Sequence, residues 1–104
     1  MAVNRLEVLK SMLEQNPRDT FARYGLAMEY ANTGKLAEAV TEYEALLTSN
    51  PDYVAAYYHG GQALEKLGRL DDARSIYMRG LEATRRTGDS HTNSEIQAAL
   101  DILG

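Results

Sequence analysis

Residues 20–53 read TFARYGLAMEYANTGKLAEAVTEYEALLTSNPDY, and residues 54–87 read VAAYYHGGQALEKLGRLDDARSIYMRGLEATRRT. Laid over one another at a spacing of 34, they pair Ala22 with Ala56, Tyr24 with Tyr58, Gly34 with Gly68, Leu36 with Leu70, Ala39 with Ala73, Tyr43 with Tyr77 and Leu47 with Leu81. Asn16-Pro17 falls in phase with Asn50-Pro51. In the first stretch Ala22, Leu26 and Tyr30, then Leu36, Ala39, Val40, Tyr43 and Leu47, recur at the spacing of an amphipathic helix, with Asn32-Thr33-Gly34 between them. That pattern predicts two helices and a turn. Gly34 and Gly68 stand where the first helix of each unit ends in a left-handed residue, which glycine adopts without steric penalty. Each Asn-Pro pair is expected to open a helix, the asparagine accepting from free amides and the proline taking the first helical position.

Working outward, the second unit predicts helices near 51–67 and 70–87, with Gly88 stopping the latter. Thr92-x-x-Glu95 reads as a capping box ahead of Ile96, Ala99, Leu100 and Leu103, whose spacing makes a single apolar stripe. Ser94, Gln97 and Asp101 occupy the opposite face, as expected of a solubilising end helix. Toward the N-terminus the period pairs Leu9 with Tyr43, Met12 with Leu46 and Leu13 with Leu47, so residues 2–15 take the part of a second helix without its first. Arg5 falls opposite Ala39, where a small residue is expected. The expected organisation is one domain over 1–104: a half-repeat at 2–15, repeats at 20–53 and 54–87, and an end helix at 92–103.

The chain has 104 residues, 44% of them hydrophobic and 25% charged, within the range of ordinary globular domains. It has no cysteine, which removes disulfides, thiolate zinc sites and cysteine nucleophiles. His59 and His91 lie far apart without ligand-like spacing, so no metal site is expected. No serine with a base, glycine-rich phosphate loop or paired carboxylates can be assembled, and neither an enzyme nor a bound cofactor is expected. The first fifteen residues mix charges among apolar positions, unlike a signal peptide. No run approaches the roughly 20 apolar residues of a membrane span. A net charge of −4 argues against nucleic acid as partner. The expectation is a cytoplasmic protein with neither nucleic acid nor membrane as partner.

The motifs resemble the tetratricopeptide repeat, with its Trp-x2-Leu-Gly-x2-Tyr first helix, Ala-x3-Phe second helix and closing proline. Here Arg23-x2-Leu26-Ala27-x2-Tyr30, Gly34, Ala39-x3-Tyr43 and Pro51 make one copy, and Tyr57-x2-Gly60-Gly61-x2-Leu64, Gly68 and Ala73-x3-Tyr77 the other. The resemblance implies an all-α, right-handed stack of about six helices, working as a non-catalytic module that binds a peptide or a segment of a partner protein. Ala27, Gly61, Ala39 and Ala73 would let helices approach, while Tyr30, Tyr43, Tyr57 and Tyr77 would fill the core.

It also implies a concave groove lined by the first helices of successive repeats. Those positions carry Phe21, Tyr24, Met28 and Asn32 from the first repeat and Ala55, Tyr58, His59, Gln62 and Glu65 from the second. His91, Ser94, Glu95 and Ala98 are candidates from the end helix. Family members that grip the carboxylate-ended tails of heat-shock chaperones use lysine, arginine and asparagine at such positions. Tyr24, Met28 and His59 stand there instead, so that clamp is not expected, and a peptide with apolar anchors suits the inventory better. A competing expectation is self-assembly, because the N-terminal helix spreads Ala2, Val3, Leu6, Val8, Leu9, Met12 and Leu13 over more than half its circumference, leaving Val8 and Met12 as a candidate homo-oligomer contact. Arg74, Arg79, Arg85 and Arg86 are read as favouring the C-terminal end of their helix, with a Glu82–Arg86 pair.

Overall fold

The computed structural model describes residues 4–104, which form six helices and, among the described residues, no strand. In chain order these are α1 (Arg5–Gln15), α2 (Thr20–Asn32), α3 (Leu36–Ser49), α4 (Val54–Lys66), α5 (Leu70–Thr87) and α6 (Ser90–Leu103). Ala2 and Val3, assigned to the first helix by its apolar wheel, lie outside the described residues.

Three helices start on a side-chain cap. Asn4, Asp19 and Asp89 accept hydrogen bonds from the backbone amides of Leu6, Ala22 and Thr92 at 2.8, 2.9 and 2.9 Å. The Thr92 amide and hydroxyl both donate to Asp89 and hold its carboxyl below the usual carboxylate range. The last helix therefore begins at Ser90, and Thr92 sits inside its first turn instead of capping it. The turns after α2 and α4 pass through Gly34 and Gly68 at φ 82° and 78°, in the left-handed region. Gly88 ends α5 in the same conformation.

The Asn-Pro pairs do not open helices. Asn16 and Asn50 are the residues that end α1 and α3, both outside the helical region at φ −143°, and the following prolines form the turns that precede α2 and α4. The residue before a proline is driven out of the helical region, so the pair stops a helix more readily than it starts one.

Neighbours in sequence are neighbours in space: α1 packs on α2, α2 on α3, α3 on α4, α4 on α5 and α5 on α6, while α2 touches α4 and α4 touches α6. α2, α4 and α6 thus form one layer, and α3 and α5 back it from the other side. The stack is elongated, 46 × 28 × 19 Å. Its main core joins α2 to α6 through Tyr43, Leu46, Ile76, Tyr77 and Ile96, all fully buried, with Tyr57 beside them. Ala27, Ala39 and Ala73 are fully buried at the crossings. A methyl group on Gly61 would overlap the Tyr77 ring, and one on Gly80 would lie 2.7 Å from both Ile96 and Tyr57. A second, smaller cluster of Leu9, Leu13, Ala22 and Leu26 fastens α1 to α2. Tyr30 is only half-buried and packs against both clusters.

The arginines of α5 do not simply serve their own helix end. Arg79 reaches Glu44 of α3 at 3.1 Å, and Arg86 reaches Asp52 at 2.9 Å. Arg85, not Arg86, pairs with Glu82. Arg74 holds Asp71 and the backbone carbonyls of Leu103 and Gly104. Arginine's long reach lets Arg86 choose a carboxylate in the turn before α4 over Glu82, four residues away on its own helix.

Candidate peptide-binding groove

The α2 sequence sets Phe21, Tyr24, Met28 and Asn32 at successive turns of one helical face. In the structure these four line a single hollow of about 300 Å³, together with Arg5, Gly25 and Glu29. Phe21 is 72% exposed at its mouth. Met28 and Asn32 continue into a second hollow of about 210 Å³, whose other side is made by His59, Gln62 and Lys66 of α4. Gln62 in turn borders a third, of about 320 Å³, between α4 and α6, where Tyr58, Glu65, Glu95, Ala98 and Ile102 meet. Neighbouring hollows share wall residues, so the three adjoin in a row across α2, α4 and α6, a row called the trough below.

Aromatic rings support the middle of this trough. The Tyr24 ring lies 5.1 Å from Tyr53, 6.0 Å from His59 and 6.3 Å from Tyr43, and His59 lies edge-on to Tyr58 at 5.3 Å. These are separations at which tilted ring pairs attract. Burial, and secondarily Tyr53, raises the Tyr24 phenol above its ordinary range. Burial pulls the His59 imidazole below its ordinary value, with Glu95 opposing the shift. His59 is therefore a neutral hydrogen-bonding group near pH 7, not a fixed cation.

Two buried tyrosines reach the trough from behind. The Tyr43 hydroxyl donates to the Met28 sulfur at 2.9 Å, and the Tyr77 hydroxyl donates to Glu65 Oε2. Gln62 Nε2 donates to the Tyr58 hydroxyl at 2.9 Å. Tyr24, Met28, Tyr58, His59, Gln62 and Glu65 are thus held in place by ring packing or hydrogen bonds.

Of the residues singled out from sequence, Phe21, Tyr24, Met28, Asn32, Tyr58, His59, Gln62 and Glu65 all line the trough, and Ala55 does not. From α6, Glu95 and Ala98 line it, whereas Ser94 and His91 do not, the latter pointing outward and lying 3.6 Å from Glu95. Sequence reasoning missed Ile102 and Tyr53. Ile102 requires the offset introduced after Gly88, and Tyr53 precedes its helix, where no periodic signal operates. Val8 and Met12 are exposed on α1 and line none of the three hollows. Among the described residues no group of three potential metal ligands occurs, and no helix is long and apolar enough to cross a membrane.

Helix pairs stacked in two layers, one layer lining a trough, define a helical-repeat protein. The tetratricopeptide repeat family model matches residues 24–90, and the chain belongs to that family. A tetratricopeptide repeat domain protein from Salinibacter ruber is 39% identical, with 82% of this chain and 94% of that one covered and a TM-score of 0.76. An uncharacterised protein of Methanocaldococcus jannaschii is 26% identical over 83 residues, 80% of this chain and 96% of that protein. The TPR2B domain of yeast Sti1, solved in complex with pHsp70, is 15% identical with a TM-score of 0.88 over 94% of this chain and 78% of that one, and shares the fold. The all-α, right-handed stack is therefore that of the family, which is in general a non-catalytic protein-interaction fold.

Proposed function

We propose that this chain is a non-catalytic interaction module that binds a short peptide, or a short segment of a partner protein, in the trough across α2, α4 and α6, and that it does so in the cytoplasm as a scaffold element. The observation that carries the reading is Phe21, a large apolar ring 72% exposed over a hollow walled by Tyr24 and Met28. A ring left in water beside a preformed apolar recess gains from being covered. The Sti1 domain was solved with an Hsp70 partner, and a second structural neighbour, the first repeat domain of Spaghetti, with an Hsp90 peptide. Those precedents support protein or peptide partners in general. The side chains here differ from a carboxylate clamp, with Tyr24, Met28 and His59 along the trough, so the favoured ligand is anchored by apolar side chains.

The test is selection of a random 12-residue peptide library on the wild-type protein, followed by titration of the enriched peptides into wild type and Phe21→Ala. The exposed site makes Phe21→Ala safe for folding, and loss of a hot-spot aromatic is expected to weaken binding about tenfold or more. Peptides that bind both proteins alike would place the contact elsewhere. The double variant Tyr24→Ala, Tyr58→Ala is expected to remove binding while the far-ultraviolet circular dichroism stays helical.

A second reading, self-assembly through Val8 and Met12, is favoured by their exposure of 41% and 36% on a helix whose one packing neighbour among the described residues is α2. Light scattering at high micromolar concentration decides it. A monomer sinks this reading, and a dimer abolished by Met12→Glu supports it.

A further inference from the structure

The trough is not uniform in charge from end to end. At the α1 side, Arg5 and Glu29 line the hollow and pair with each other at 3.4 Å. The middle hollow carries Lys66. The hollow between α4 and α6 carries two carboxylates, Glu65 and Glu95, and no lysine or arginine. Its remaining walls, Tyr58, Gln62, Ala98, Ala99 and Ile102, are largely apolar, and Ile102 is 84% exposed along the rim.

The Glu65 carboxylate is anchored at one oxygen. Tyr77, fully buried, donates to its Oε2, and Oε1 accepts no hydrogen bond among the described residues. Among the described residues no arginine or lysine pairs with Glu65 or Glu95, and the one charged contact of either is the 3.6 Å approach of His91 to Glu95. The ordinary reason for a carboxylate in such a place would be a salt bridge, and the arginines of α5 pair with other carboxylates, Arg74 with Asp71, Arg79 with Glu44, Arg85 with Glu82 and Arg86 with Asp52.

We infer that this hollow receives a lysine or arginine side chain of the same peptide whose apolar residue covers Phe21. The proposal rests on the groove reading above and adds the chemistry and orientation of the ligand. A long basic side chain matches both features of the hollow: its methylene stem lies along Ala98 and Ile102 while its cationic head reaches Glu65 and Glu95. An acidic peptide end would meet two like charges there, so the trough selects against the ligand chemistry of a carboxylate clamp as well as for a basic one. The charge gradient orients the peptide, with its basic residue toward α6 and its apolar anchor toward α1.

The probe is the 12-residue library, with the enriched peptides resynthesised so that each lysine or arginine is replaced singly by norleucine. Selected sequences are expected to carry a basic residue at a fixed distance from an apolar anchor. Norleucine replacement is expected to weaken binding to wild type about tenfold, the size of a charge-assisted hydrogen bond to a partly exposed carboxylate. Against Glu65→Gln, Glu95→Gln, the basic and norleucine peptides should bind alike. Glutamine still accepts from Tyr77, so the fold is kept, and Glu95→Gln alone, which leaves the Tyr77–Glu65 hydrogen bond in place, gives an independent reading. Glu38→Gln on α3 removes the same charge away from the trough and should leave the difference intact. If it also abolishes the difference, general attraction of the acidic protein is responsible and the proposal falls. Peptides that depend on Phe21 but not on Glu65 or Glu95 overturn this inference and leave the groove standing. Peptides that depend on neither, or no enriched peptide at all, overturn both.

Discussion

The two repeats solve the same packing problem with one methyl group of difference. In the first, Ala27 lies at the crossing and Tyr43 sends its hydroxyl to the sulfur of Met28. In the second, Gly61 occupies the equivalent place, the Tyr77 ring lies directly over it, and the hydroxyl reaches Glu65 on the next turn of α4. A change buried in the core thereby changes what the surface offers. The first half of the trough is backed by a thioether and aromatic rings, and the second by a carboxylate. Repeats of one design can present unlike half-sites because the buried tyrosine selects which groove residue it steadies.

The comparison is broken most forcefully at the glycine. Gly61→Ala forces the Tyr77 ring aside, and overpacking is expected to cost about 1–3 kcal/mol even after the gain in helix propensity. Urea unfolding measures this. A neutral or stabilising result would show that Tyr77 does not depend on that space. A finer cut is the hydroxyl pair. Tyr77→Phe loses a hydrogen bond to a charged acceptor and is expected to cost about 1 kcal/mol, whereas Tyr43→Phe loses one to a weak sulfur acceptor and costs less than about 0.5. Equal losses would erase the asymmetry between the repeats.

The smallest effect concerns His59, which stands where the first repeat has Gly25. Its imidazole is held below its ordinary value by burial, against the pull of Glu95, with Tyr24 and Tyr58 packed around it. The unfolded chain therefore takes up that proton more readily than the folded one as pH falls through about 6.5. The contribution of His59 is present above that pH and lost on acidification. Melting temperatures between pH 5 and 7.5 should fall less steeply for His59→Gln than for wild type; parallel curves would remove the histidine from the account.

Much of the fold was legible because its signals are local. A glycine at positive φ, an apolar stripe and a 34-residue period each act within a few turns of chain, and they place the helix ends at Gly34, Gly68 and Gly88. Phe21, Tyr24, Met28 and Asn32 were legible as neighbours for the same reason. The Asn-Pro pairs misled because two rules compete there: asparagine caps helices, and a following proline forbids the helical region to the residue before it. The steric rule won, leaving Asp19 to cap α2 and Tyr53 to precede α4 with no side-chain cap at all. Gly80 went unread because its reason lies on other helices, in Ile96 and Tyr57. The same holds for the arginine pairings, which join residues 34 or 35 apart and cannot be found on one helical wheel. The sharing of wall residues that sets three hollows in a row is likewise a property of the stack.

The fastening of α1 has a consequence for how the protein opens. Leu9 and Leu13 are buried in a cluster of their own with Ala22 and Leu26, and among the described helices α1 rests on α2 alone. Detaching it breaks one small interface and leaves the main core of α2 to α6 intact, whereas detaching α4 would breach that core on every side. In such a chain of nearest-neighbour couplings the end unit opens independently of global unfolding. Amide protons of α1 should therefore exchange through a local opening with little dependence on denaturant, while those of α4 and α5 exchange only when the whole stack comes apart.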